Sequence, residues 1–199
     1  MAIEVERRFL ARDPKGTIAA LTIIDYVQIR QGYFGHVNGL KRRVRITLDA
    51  EGRSSAVLTC KSPRQGSSRE EYEQPLPLKI AEQALGMLPP SQIIRKHRFR
   101  IRHWDGFVWS VDFFEGENAG LVIAEIELAH PAQTFDLPAW CGKEITSDRR
   151  YGNSVLARQP IRRSQCTEGA VHRHQVPIAY KWPPPAIQAF FPRCGNELS

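Results

Sequence analysis

Charged and apolar residues alternate one by one through much of residues 1–159, and this period of two constrains the fold more than any other feature. In Ile3-Glu4-Val5-Glu6-Arg7-Arg8-Phe9, the side chains of Ile3, Val5 and Phe9 fall on one side and those of Glu4, Glu6 and Arg8 on the other. A helix repeats every 3.6 residues and would scatter both sets, so the pattern specifies strands with one apolar and one charged face. The alternation predicts strands over 2–10, 26–34, 41–48, 56–62, 69–75, 93–103, 107–115 and 121–128. Asn38-Gly39, Glu51-Gly52, Gln65-Gly66 and Asp105-Gly106 supply turns between several of them. Helices are predicted over 14–21, 78–88 and 147–158, the first opening at Asp13-Pro14 and the last near Ser147-Asp148. The fold class is therefore α+β, mainly β. Eight antiparallel strands with a few flanking helices fit a closed or nearly closed barrel, with a sandwich or an open meander as alternatives.

The charges are sorted by sign. Arg43 and Arg45 form one basic row, and Lys96, Arg98 and Arg100 another, with Lys61 isolated on its own strand. Glu4 and Glu6, and Glu125 and Glu127, form acidic rows, with Asp112 alone on the strand between. A solvated face mixes both signs with neutral polar residues. Like charges two apart repel, so such rows cost stability unless a ligand neutralises them. Basic rows suit phosphates, and paired carboxylates suit hard divalent cations. Together they describe a site for a metal–polyphosphate complex.

A nucleic-acid partner is not expected, because the acidic rows would repel a phosphate backbone and the aromatics mostly occupy the apolar faces. The net charge of +7, from 28 Lys+Arg against 21 Asp+Glu, agrees with a small anionic partner. The longest apolar stretch, Ile18 to Ile24, is far short of the ~20 residues that span a bilayer. Glu4 and Glu6 interrupt the apolar run that a secretory leader would need. Cys60, Cys141, Cys166 and Cys194 are scattered without metal-ligand spacing. The expectation is a cytoplasmic protein with reduced thiols and no membrane partner, its oligomeric state open between a monomer and a homodimer. Residues 160–199 differ from the body: they hold six of the 14 prolines, and five basic residues against two acidic ones. Trp182-Pro183-Pro184-Pro185 favours an extended conformation, so the segment reads as a poorly ordered, basic C-terminal extension.

Ile3-Glu4-Val5-Glu6-Arg7-Arg8-Phe9-Leu10 resembles the ExExK signature of the CYTH superfamily, the triphosphate tunnel metalloenzymes. Arg30-Gln31-Gly32-Tyr33-Phe34, Arg43-Val44-Arg45-Ile46, Thr59-Cys60-Lys61-Ser62 and Arg69-Glu70-Glu71-Tyr72-Glu73 follow in order. Arg95-Lys96-His97-Arg98, Val111-Asp112-Phe113-Phe114-Glu115 and Ala124-Glu125-Ile126-Glu127 continue the series, which covers about residues 1–159. The resemblance implies a barrel whose interior binds a triphosphate with Mg2+ or Mn2+. The compact members with a similar first half are tripolyphosphate hydrolases. Class IV adenylate cyclases, thiamine or nucleoside triphosphatases and a non-catalytic polyphosphate or nucleotide binder are the alternatives. By the match, Glu4, Glu6, Asp112, Glu125 and Glu127 serve the metal, and Arg43, Arg45, Lys61, Lys96 and Arg98 grip phosphate. Tyr33 and Arg8 take the catalytic positions. Arg8 stands where the family has lysine, and an arginine cannot serve as a general base, although it can orient a water.

Overall fold

The structure, a computed structural model, describes residues 5–11, 22–37, 39–62 and 71–161. Nine strands form one antiparallel sheet: β1 (Val5–Ala11), β2 (Thr22–Val37), β3 (Leu40–Asp49), β4 (Ser54–Lys61), β5 (Glu71–Pro75), β6 (Ile94–Arg102), β7 (Val108–Phe114), β8 (Val122–Leu128) and β9 (Cys141–Glu144). Their spatial order is β5-β4-β3-β2-β6-β7-β8-β1-β9. The first eight strands fall on the eight stretches marked by alternation, while the short β9 is additional. The predicted helix 14–21, Glu4, Arg69 and the tail from residue 162 lie outside the described residues.

Among the described residues the sheet is not closed, so the barrel expected from eight strands describes it only loosely. Among the described residues no ladder joins the two ends, β5 and β9. Both edges are poor partners. β5 has five residues and ends in Pro75, which has no N–H to donate. β9 has four residues and meets β1 through a register shift between Phe9 and Ala11. The sheet nevertheless curls strongly. Register shifts between Ile23 and Asp25 and between Phe34 and His36 bend the 16-residue β2. One C-terminal segment reaches both halves: Arg8 on β1 donates to the carbonyls of Thr146 and Tyr151, and Lys41 on β3 donates to the Ser154 hydroxyl.

Apolar side chains stabilise this curl from three sides. On the convex face Phe9, Tyr26, Phe99, Ile101, Trp109 and Ile126 are buried, covered by Phe135 and Trp140 from the segment after β8. Helix α1 (Leu78–Gly86), close to the predicted 78–88, lays Ala81 and Leu85 against Val44, Ile46 and Ala56. Gly32 permits this docking, since a Cβ there would lie 2.4 Å from Leu88 Cδ1 and 2.9 Å from Leu85 Cδ2. The third cluster lies inside the curl. Ile94, Phe114 and Ile123, flanked by Leu10 and Tyr33, meet Ile145, Tyr151, Leu156, Ala157 and Ile161. Residues 145–161 thus seal one end of the interior with carbon.

The predicted helix 147–158 is realised as two short pieces, a 3-10 turn at Arg149–Tyr151 and the single-turn α2 (Asn153–Leu156). Gly152 separates them in an extended conformation (φ −71°, ψ 129°), which lets Tyr151 turn inward. Asp148 caps the first piece through the Arg150 N–H at 3.1 Å. Packing also passes the expected boundary at 159. Ile161 is buried, and its N–H donates to Asn118 Oδ1 at 3.1 Å.

Candidate active site

Directly paired residues in an antiparallel ladder share a face, so the register maps the concave surface. Along β1 and β8 the pairs are Glu6 with Glu127, then Arg8 with Glu125, then Leu10 with Ile123. Glu6 and Glu127 are exposed, Arg8 and Glu125 half-buried, and Ile123 lies in the carbon floor. Arg98 pairs with Asp112, and Lys96 with Phe114. Across β2 and β3, Gln31 pairs with Arg45 and Tyr33 with Arg43. Arg43 then faces Thr59, Lys41 faces Lys61, and β5 adds Glu73 and Glu71. All the predicted site residues among the described ones therefore project from one concave face.

The buried centre is cationic. Asp112 is fully buried with both oxygens committed: Arg98 Nε donates to Oδ1 at 2.7 Å and Nη2 to Oδ2 at 2.7 Å, and Lys96 Nζ also donates to Oδ2. Burial alone would raise the Asp112 carboxyl, but Arg98 and Lys96 outweigh it and hold the group well below the usual carboxylate range. Burial lowers the Lys96 ammonium to about 8 against the pull of Asp112. Burial, then Arg43 and Arg98, push Arg45 down to about 10. Burial is the larger cause and the two neighbouring guanidinium groups add to it, so Arg45 sits where both water and counter-charge are scarce. Arg43 agrees: its Nη2 donates to Thr59 Oγ1 at 2.8 Å and to Glu73 at 3.3 Å, yet its buried Nε has no partner. Lys61 pairs with Glu71 at 2.5 Å.

The acidic side is less committed. Glu125 accepts a hydrogen bond from Arg98, but burial pushes its carboxyl up and Asp112 adds to that. Glu6 lies 3.3 Å from Arg8 Nε. Arg8 spends its other nitrogens on the sealing segment, at 3.1 Å from the Tyr151 carbonyl and 3.2 Å from that of Thr146. Tyr33 sits where charged wall meets carbon floor. Burial pushes its phenol up to about 12, with Arg43 and Arg45 pulling the other way.

Residues 2–157 match the family profile of the CYTH domain. The chain belongs to the CYTH family. Two curated CYTH-like relatives bear the name inorganic triphosphatase. The one from Acetivibrio thermocellus is 38% identical over 162 residues, covering 81% of this chain and 97% of its own. The one from Nitrosomonas europaea is 33% identical over 160 residues, covering 77% and 96%. A solved structure of an inorganic triphosphatase superposes with a TM-score of 0.56 at 29% identity, covering 79% of this chain and 95% of its own.

The donor set of this CYTH domain suits a hard divalent cation. Glu6, Glu125 and Glu127 offer carboxylate oxygens only. Two of them stand directly opposite each other in the ladder, a like-charge pairing that a cation would relieve. Asp112 differs, because both of its oxygens already serve Lys96 and Arg98. Among the described residues no three His, Cys, Asp or Glu side chains converge as a ready cage, and Glu4 is not among them. Sequence reasoning passed over Gln31 and Thr59, which are fully buried in the same face. The signal was present in the alternation, since Gln31 is two residues from Tyr33 and Thr59 two from Lys61. Glu71 and Glu73 pair with Lys61 and Arg43. No helix among the described residues is long and apolar enough to cross a membrane.

Proposed function

We propose that this CYTH chain hydrolyses inorganic triphosphate to pyrophosphate and phosphate within the concave face, with Mg2+ or Mn2+ and in the cytoplasm. The observation that carries this reading is the convergence of Arg43, Arg45, Lys61, Lys96 and Arg98 from three strands on one face, with the buried Arg43 Nε lacking a partner, where a multiply charged anion would supply negative charge. The names of the two relatives support the same substrate.

Arg43, Arg45, Lys61, Lys96 and Arg98 bind phosphate oxygens from three strands and spread the anion across the interior. Glu6, Glu125 and Glu127, with Glu4, would hold the cation, while Asp112 acts one step back by fixing Lys96 and Arg98. When bound, the cation would neutralise phosphate oxygens and acidify a coordinated water. Phosphoryl transfer asks mainly for alignment and charge stabilisation, which a rigid sheet bearing fixed guanidinium groups provides. Arg8 orients and does not accept a proton. Its guanidinium fastens the sealing segment to β1. The substrate is a small anion, and the domain, extended to Ile161, suffices for it.

The test is a panel of tripolyphosphate, ATP and thiamine triphosphate, each with Mg2+ or Mn2+, read for phosphate and for cyclic AMP. Tripolyphosphate is expected to give the highest kcat/KM, with no cyclic AMP from ATP. Preferred turnover of either nucleotide-like substrate, or binding without turnover, would overturn the reading.

A further inference from the structure

Gln31 is fully buried and faces the interior from β2, on the same side as Tyr33. Its carboxamide joins two partners. Arg45 Nε donates to Oε1 at 3.0 Å, and Nε2 donates to the Tyr33 hydroxyl oxygen at 2.8 Å. The two ends of an amide have nearly the same shape, but Arg45 removes the ambiguity. A guanidinium nitrogen can only donate, so the amide atom facing it must be the oxygen. That turns the NH2 toward Tyr33, where the phenol oxygen must accept. A hydroxyl has one hydrogen, and here it must point away from Gln31. The neighbouring Arg43 guanidinium is again a donor only, so it too leaves the hydrogen free.

We propose that Gln31 is a positioning residue that fixes Tyr33 as a hydrogen-bond donor to the phosphate chain, so that Tyr33 acts as a donor and not as a base. The proposal rests on the reading of the interior as a triphosphate site. The surroundings keep the donor protonated: burial raises the phenol to about 12, Glu125 adds to this, and Arg43 and Arg45 oppose it. The Lys41 ammonium lies over the ring face, 5.3 Å from its centre. A donor held in place before the substrate arrives needs no reorganisation as charge develops on a phosphate oxygen. The same amide also holds Arg45, so one side chain sets the geometry of a cationic grip and a neutral donor.

Two substitutions test this. Gln31→Glu keeps the shape, and beside Arg45 its carboxylate stays ionised. Both oxygens then accept, and the Tyr33 hydrogen turns toward Glu and out of the interior. Gln31→Met keeps the volume and removes both bonds. Gln31→Glu is expected to lower kcat about tenfold, with KM within about threefold, and Gln31→Met to lower it less. In a Tyr33→Phe background Gln31→Glu, which keeps the bond to Arg45, should not slow the enzyme further. An equal loss with and without the phenol would show that Gln31 acts through Arg45, and would overturn the proposal.

A measurement without substrate separates this from the functional reading. With tyrosines labelled at 13Cζ, and Tyr33 assigned by its loss in Tyr33→Phe, Gln31→Glu should move the Tyr33 resonance downfield at neutral pH, toward phenolate. An unmoved resonance in both Gln31 variants would overturn the proposal even if tripolyphosphate is hydrolysed. A moved resonance with no tripolyphosphate turnover in the unsubstituted protein would instead sink the functional reading alone.

Discussion

Asp112→Asn is the most informative single change, because it removes one charge from a fully enclosed place without altering shape. Asp112 takes hydrogen bonds from Lys96 and from two nitrogens of Arg98, and neither Asp112 nor Lys96 has exposed side-chain surface. Taking one partner from a buried ion pair costs about 3–5 kcal/mol, since the remaining charge is left in a medium that solvates it poorly. Asparagine keeps one acceptor oxygen, so the lower end applies, about 3 kcal/mol. For a domain of this size that is a fall in Tm of about 6–12 °C. The pH dependence is the sharper test. Lys96 is lowered to about 8 in the folded protein from the 10.5 of a freely hydrated lysine. Between those values the unfolded chain holds a proton that the folded chain has released, so stability rises with pH. Without Asp112 the folded Lys96 releases its proton lower still, and the gain is larger. Urea unfolding of both proteins at about pH 7 and about pH 9.5, free of metal and phosphate, should show the penalty of Asp112→Asn shrinking toward the higher pH. A penalty below about 1 kcal/mol at neutral pH, or one that grows with pH, would refute the picture of a charge-compensated Lys96.

Glu127→Gln should leave the melting temperature within about 1–2 °C, because the residue is exposed, while shifting the half-saturating metal concentration by about tenfold or more; an unchanged metal titration would remove it from the ligand set. Arg8→Lys cannot reach both the Thr146 and Tyr151 carbonyls, so it should lose about 1.5–3 kcal/mol and speed amide exchange across 147–157; exchange at the original rate would show that the latch lies elsewhere. A chain ending at Ile161 should melt with the full-length protein, whereas one ending at Gln159 loses the Ile161 side chain and its bond to Asn118, about 2–4 kcal/mol; identical melting of the two truncations would show that Ile161 contributes nothing.

The strands and the sign of each concave row were legible because a period of two needs no tertiary information. Phe9 and Arg8 announce opposite faces whatever lies around them. Closure was not legible, since it depends on whether β5 and β9 can pair, and a five-residue edge ending in Pro75 looks from the sequence like any other strand end. The helix over 147–158 misread a segment whose apolar residues serve a floor: Tyr151 and Leu156 must both face the interior, and Gly152 breaks the turn to allow it. The family match put Asp112 with the metal, and the alternation by itself fixed only the face it occupies. Only the register shows that Arg98 lies directly across from it and absorbs its oxygens. Gln31 was placed on that face by its spacing from Tyr33 but not singled out, because an uncharged residue in a charged row carries no sign to notice.

The carbon floor formed by Ile94, Phe114 and Ile123 against residues 145–161 works as a ruler. A phosphate chain moving inward exchanges hydration for guanidinium contacts until its leading end meets carbon, where further travel sheds water and gains nothing. The innermost phosphoryl group therefore stops at the same depth whatever trails behind it. On the proposed triphosphate reading, chain length would be read from the inner terminus, and the cleaved linkage would be a fixed count from that stop.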